Sequence, residues 1–215
     1  CRLTGTERMK QRPIRLLVDA LCELGAKINY VEQEGFPPID IVGKQLDGGK
    51  ICLKGNVSSQ YISALMMIAP AMKNGLQIEL IPPVISKPYI DLTRQLMQTF
   101  GVDVRSRENI LEIPAQQYKM QSYTIESDWS AASYWYEILA LQKQGEFFLK
   151  GLTKNSLQGD SKLVDIFADL GVSTFFEERG VRIVANGREV AEMNYDFVDQ
   201  PDLAQTLVVT CCFLG

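Results

Sequence analysis

Ser58, Ser59 and Gln60 stand in a row directly ahead of an apolar run that ends at Pro70. Two hydroxyls and a carboxamide at the start of a helix add short-range donors to its unpaired N–H groups and its dipole. That combination suits an anion. Read alone, the trio also serves as an N-cap with polar neighbours. Ser86 and Tyr89 open a second helical run, with Pro88 near the first turn where proline is tolerated. Here too a cap with a packed aromatic is the plain alternative. Arg12 precedes Pro13 at the entry to another helical run, and Asp202 follows Pro201 at the entry to a fourth. By itself Arg12 reads as a solvated side chain and Asp202 as an N-cap. The chain has no histidine, so any acid–base chemistry must come from Asp, Glu, Lys, Tyr or Cys.

The elements that carry these residues repeat. Three segments share one design of amphipathic helix, glycine, then two short alternating strands. The first helix shows Ile14, Leu17, Leu21 and Leu24 on one face and stops at Gly25. The second shows Tyr89, Leu92, Leu96 and Phe100 and stops at Gly101. The third shows Leu163, Ile166, Phe167 and Leu170 and stops at Gly171. A glycine there supplies the left-handed conformation that closes a helix. Between them lie three more helical segments, beginning near Ser58, Asp128 and Asp202 and closing at Gly75, Gly145 and Gly215. These closing glycines recur at equal steps of about 70 residues, a period that marks a structural repeat. Each such helix opens with Ser or Asp and is apolar nearly all round, which predicts burial in the middle of a domain. Trp129 and Trp135 are expected in that core. The pattern is an α/β architecture of repeated βαβαββ units around buried helices. Both ends cut across the repeat, so the expectation is a piece of a longer protein.

Composition narrows the partners. Of 215 residues, 46% are hydrophobic and 22% charged, ordinary values for a globular protein. No apolar run approaches the 18 or so residues of a membrane span, and no signal pattern opens the chain. A net charge of −4 argues against non-specific nucleic-acid binding. Five cysteines, Cys1, Cys22, Cys52, Cys211 and Cys212, have no C-x-x-C spacing. They read as reduced, mostly buried thiols of a cytoplasmic protein and not as a disulfide framework or zinc site. The charged stretches Arg105–Asn109 and Phe176–Gly180 read as solvated hairpin turns.

Five stretches match one family in order: LTGTERMKQRPI at 3–14, EGFPPIDI at 34–41, GNVSSQYISALMMIAP at 55–70, SKPYIDLT at 86–93 and NSLQGD at 155–160. DWSAASYWY at 128–136 and QPDLAQT at 200–206 extend the match. Together they resemble the EPSP synthases, essentially end to end. The resemblance implies the two-lobed enolpyruvyl transferase fold, an inside-out α/β barrel of six βαβαββ units with its active site in the cleft between lobes, here incomplete. Residues 1–126 would be part of the first lobe and 127–215 part of the second. The sister enzyme, UDP-N-acetylglucosamine enolpyruvyl transferase, fits less well. It carries a reactive cysteine five residues before the Arg-Pro pair, where this chain has Glu7.

The resemblance also implies roles. Ser58, Ser59, Gln60, Ser86 and Tyr89 would bind shikimate 3-phosphate, and Arg12 with Gln60 would bind phosphoenolpyruvate. A guanidinium fits that task, since it grips a carboxylate or phosphate with paired hydrogen bonds. Asp202 would touch shikimate 3-phosphate and accept the proton of its 5-hydroxyl. Asp128, Asn155 and Asp160 are assigned structural parts. The implied reaction moves the enolpyruvyl group of phosphoenolpyruvate to that hydroxyl, by addition and then loss of phosphate. No metal or organic cofactor is expected, no nucleic-acid or membrane partner, and the complete protein would be a monomer. Other cationic ligands of the family have no counterpart in this chain, so the chain alone is expected to be inactive. The alternative from another class is a non-catalytic substrate-binding fragment or structural module.

Overall fold

The helices stop where the glycines predict. Gly25, Gly101 and Gly171 have φ of 93°, 79° and 88°, the left-handed turn that releases each helix into its hairpin. A computed structural model describes residues 1–188 and 192–214, so Gly215 lies outside the described residues. The chain divides into two compact units, Cys1–Gln121 and Ser122–Gly215.

The first unit contains β1 (Arg2–Leu3), α1 (Glu7–Lys10), α2 (Arg15–Glu23), β2 (Lys27–Tyr30) and β3 (Ile39–Val42). It continues with β4 (Gly49–Lys54), α3 (Ser59–Ile68), β5 (Leu76–Ile81), α4 (Lys87–Thr99), β6 (Arg105–Arg107) and β7 (Ile110–Ile113). From β4 to β7 the order is βαβαββ. The second unit contains α5 (Trp129–Gln142), β8 (Glu146–Lys150), α6 (Leu163–Asp169), β9 (Val172–Glu177), β10 (Gly180–Ala185) and α7 (Ala204–Leu214).

One topology recurs in all three sheets. Their orders are β1-β3-β2, β8-β10-β9 and β4-β5-β7-β6. In each, the strand before an amphipathic helix pairs antiparallel with the second strand of the hairpin after it: Leu3 opposite Ile39, Ile78 opposite Leu111, Leu149 opposite Val181. The helix therefore crosses over a strand inserted later. In the largest sheet β4 adds parallel to β5, with Ile51 opposite Ile78.

Each unit has its own core. Ile51, Ile62, Leu65, Met66, Ile78 and Met97 centre the first, and Trp129, Tyr136, Leu163, Phe167 and Ile183 the second. In α6 the expected face, Leu163, Ile166, Phe167 and Leu170, is buried throughout. In α4 the face is turned. Ile90 and Met97 are buried, whereas Tyr89, Leu92, Leu96 and Phe100 are only half-buried. Thr93 lies between the two buried residues on that stripe, and its hydroxyl meets Ser63 of α3 at 2.8 Å. The helix thus packs along a stripe that includes a threonine, which a count of apolar residues overlooks.

Three further expectations are corrected. The helices expected to be buried all round are buried on one side only. Met67 of α3, Tyr134 and Ile138 of α5, and Val208, Val209 and Phe213 of α7 are exposed. Trp129 is fully buried, but Trp135 lies on the open side of α5 at 47% exposure, edge-on to Phe147 at 5.4 Å. All five cysteines are free and exposed, because each stands on a solvent-facing position of its element or at a chain end. The charged residues of the hairpin turns are exposed as expected. No described helix is long and apolar enough to cross a membrane.

Candidate functional site

The start of α3 is fixed from within. Ile62, Leu65 and Met66 are fully buried and hold the helix on the sheet. Its first residues, Ser59 and Gln60, then project from the end of β4 with the half-extended Ser58 before them. Ser58 occupies the N-cap position at φ −53°, ψ 123°, yet its hydroxyl makes no capping bond. Ser58 and Gln60 are exposed and Ser59 half-buried. Donors that a helix ordinarily satisfies locally are left available at its positive end.

The start of α4 is brought alongside. The Ile85 N–H donates to the Gly55 carbonyl at 3.1 Å, one residue ahead of Ser86 on one segment and three ahead of Ser58 on the other. The approach is close enough that a Cβ on Gly55 would lie 2.7 Å from Val84 Cγ2 and 2.9 Å from the Pro83 carbonyl oxygen. With Ser63 meeting Thr93 further along, α3 and α4 run side by side with both N-termini at the same end. Ser86 takes left-handed angles, φ 54° and ψ 34°, and also makes no capping bond. For a residue with a Cβ those angles cost roughly 1–2 kcal/mol. Pro88 falls in the first turn of α4. Tyr89 is half-buried one residue later, its carbonyl accepting from the Thr93 hydroxyl at 3.1 Å.

The residue after Arg12 reaches the same helix through its backbone. The Tyr61 hydroxyl donates to the Pro13 carbonyl at 2.7 Å. The Arg12 side chain is exposed and makes no ion pair among the described residues. Its cationic neighbours differ. Lys10 pairs with Glu7 at 3.4 Å and Glu32 at 3.5 Å, and the hydrogen bond it donates to Glu7 raises its pKa above the usual lysine value. Arg15 pairs with Glu34 at 2.8 Å. So Ser58, Ser59, Gln60, Ser86 and Tyr89 lie at the helix starts at one end of the first unit, and the segment at Pro13 is tied to α3 through Tyr61.

Asp202 belongs to the second unit, and its expected part as an N-cap is corrected. It lies inside a 3-10 turn, Pro201–Leu203, that leads into α7, with Gln200 in the cap position and no side-chain cap. Pro201 makes a tight turn in place of an extended cap residue, which carries the carboxylate past the amides it would have capped. Asp202 is exposed and makes no hydrogen bond or ion pair among the described residues. Asp128, its counterpart one repeat earlier, is a true cap. Its Oδ1 accepts from the N–H of Ser130 at 2.8 Å and of Ala131 at 3.2 Å. Asp160 is buried at 2% exposure and accepts from the Ser130 hydroxyl.

Two residues with positional roles are absent from the sequence-derived set. Gln158, within NSLQGD, accepts from the Trp129 N–H and donates to the Ser127 carbonyl, each at 2.8 Å. Tyr61 counts as one more apolar residue of α3 by pattern, and no local signal marks a hydroxyl whose partner is 48 residues away. Among the described residues, no cluster of three or more His, Cys, Asp or Glu is placed to hold a metal.

With this geometry in view, the chain can be set against known proteins. A family model described as EPSP synthase (3-phosphoshikimate 1-carboxyvinyltransferase) matches residues 1–215. A Bacteroides fragilis protein named 3-phosphoshikimate 1-carboxyvinyltransferase is 56% identical over 215 residues, covering 99% of this chain and 52% of the relative. A Pasteurella multocida protein of the same name is 40% identical over 214 residues, covering 98% of this chain and 48% of the relative. Among solved structures, an EPSP synthase from Acinetobacter baumannii aligns with a TM-score of 0.72 at 18% identity, covering 97% of this chain and 48% of that one. That likeness bears out the expected fold. The chain spans about half the length of the curated relatives it matches.

Proposed function

The chain belongs to the EPSP synthase family, and from that premise we propose that the protein carrying it transfers the enolpyruvyl group of phosphoenolpyruvate to the 5-hydroxyl of shikimate 3-phosphate. One observation carries the reading to these residues. The α3 and α4 starts lie together with Ser58 and Ser86 in their cap positions and neither hydroxyl used as a cap. Uncapped N-termini side by side favour a phosphate, and serine hydroxyls add donors to a charged acceptor.

On this reading Ser58, Ser59, Gln60, Ser86 and Tyr89 hold shikimate 3-phosphate, and Arg12 with Gln60 holds phosphoenolpyruvate. Asp202, free of any capping duty, takes the proton of the 5-hydroxyl as its oxygen attacks C2 of phosphoenolpyruvate. C3 gains a proton from a general acid in the same addition, and the conjugate base of that acid takes a C3 proton back in the elimination. The tetrahedral adduct then expels phosphate and gives up a C3 proton to form the enol ether. The leaving group arrives already activated as phosphate, so the residues named need only bind, orient and move protons. Residues 1–126 count as part of one lobe and 127–215 as part of the other. The protein is read as a cytoplasmic monomer that acts in aromatic amino acid and chorismate biosynthesis.

The test is phosphate release by the full-length protein with both substrates present, alongside calorimetry with shikimate 3-phosphate. Release should require both substrates. Ser58→Ala with Ser59→Ala should weaken shikimate 3-phosphate by roughly tenfold or more per lost charged hydrogen bond. Release that ignores shikimate 3-phosphate, or unchanged affinity in the double variant, would sink the reading.

A further inference from the structure

Tyr61 follows Gln60 in the first turn of α3, and its hydroxyl lies 2.7 Å from the Pro13 carbonyl oxygen, a good distance for an O–H···O bond. Pro13 has no N–H, so this carbonyl is the one polar group its backbone can offer. The helix that follows does not claim it: the first bond into α2 runs from the Val18 N–H to the Ile14 carbonyl, at 3.1 Å. The remaining backbone bonds of the segment run to α1 and to the loop between β2 and β3, Arg12 N–H to Met9 carbonyl at 3.1 Å and Ile14 N–H to Gly35 carbonyl at 2.8 Å. Neither ties it to α3. The Arg12 guanidinium makes no ion pair among the described residues that would hold it in place.

We propose that Tyr61 is a positioning residue for the phosphoenolpyruvate subsite, its hydroxyl fixing the Arg12–Pro13 backbone against the first turn of α3 so that Arg12 and Gln60 address one ligand. The inference rests on the reading of Arg12 and Gln60 as phosphoenolpyruvate ligands. It goes beyond that reading by assigning the alignment of the pair to a residue that touches neither substrate. A tethered cation loses less freedom on binding than one on a loose loop, and the benefit falls on the ligand that the cation holds.

Tyr61→Phe keeps the ring and removes the bond. In the full-length protein it should raise KM for phosphoenolpyruvate by about three- to tenfold, the usual worth of one such hydrogen bond. KM for shikimate 3-phosphate and kcat should stay near wild type, and Tm should fall by no more than the few degrees that one lost hydrogen bond costs. Arg12→Lys should raise the same KM, and the double variant should fall short of the product of the two effects, because the tether matters only while the guanidinium is there. Unchanged KM for phosphoenolpyruvate in Tyr61→Phe, with Arg12→Lys impaired, overturns the inference and leaves the function intact. Equal rises in both KM values with a larger fall in Tm overturn it in favour of a purely structural bond, and fully multiplicative effects overturn it by uncoupling Tyr61 from Arg12. A wild-type protein that shows no phosphoenolpyruvate-dependent phosphate release overturns this inference and the proposed function together.

Discussion

The helices α3 and α5 occupy equivalent places in the repeat and begin in opposite ways. At α5, Asp128 closes the amides of Ser130 and Ala131, and Gln158 closes that of Trp129. Three successive donors are spent on the fold. At α3, Ser58 stands in the cap position and caps nothing. A good cap contributes about 1 kcal/mol, and a helix that forgoes it keeps its donors and its dipole for something else. On the proposed function, the contrast separates a helix start that serves stability from one that serves binding, within one chain. Asp202 extends it, since the carboxylate that follows Pro201 at the head of α7 is as unspent as Ser58.

The sharpest way to break the contrast is to treat the two aspartates alike. Asp202→Asn in the full-length protein should lower turnover by roughly 10²–10⁴, the ordinary worth of a general base. Tm should hardly move, because no bond to the fold is lost. Steady-state phosphate release and a thermal melt decide it, and near wild-type turnover would leave Asp202 with no role in catalysis. A second variant makes α3 imitate α5. Ser58→Asp should cap the helix and raise its stability by about 0.5–1 kcal/mol. The same charge should repel the substrate phosphate and weaken shikimate 3-phosphate by roughly tenfold or more. Opposite signs in a denaturant titration and in calorimetry are the expected signature; parallel changes would show that α3 is no anion site. The smallest effect belongs to Asp128→Ala. It should cost about 1 kcal/mol of stability in urea unfolding while kcat and both KM values hold. A large loss of turnover there would erase the distinction between the two helix starts.

Much of this architecture is legible from residue pattern because local physics sets it. Glycine at 25, 101 and 171 is where a helix must turn left-handed, and the alternating residues after each must form a hairpin. The face of α6 is legible for the same reason. The face of α4 is not, because Thr93 belongs to the packed stripe through Ser63, and that partner lies on another element. Nor can pattern tell a used cap from an unused one. Ser58, Asp128 and Asp202 look alike in sequence, yet Asp128 accepts from two amides, Ser58 at similar backbone angles accepts from none, and Asp202 lies inside a 3-10 turn. The site residues Ser58, Ser59, Gln60 and Ser86 stand out as polar groups at helix starts. Tyr61 does not, since its proposed role depends on a contact with Pro13 that no periodicity encodes.

The two tryptophans give the chain an uneven optical character. Both sit on α5, so the first unit has no indole and the second has two. Trp129 is wholly enclosed, while Trp135 is 47% exposed. Emission should therefore combine a blue component that iodide cannot quench with a red one that it can. Heating should shift only the blue component towards red, and that shift reports the second unit alone. The helices and sheets of the first unit will melt unseen by indole emission and be visible only to far-ultraviolet dichroism. Where the two signals part, the units unfold separately; where they coincide, the chain unfolds as one.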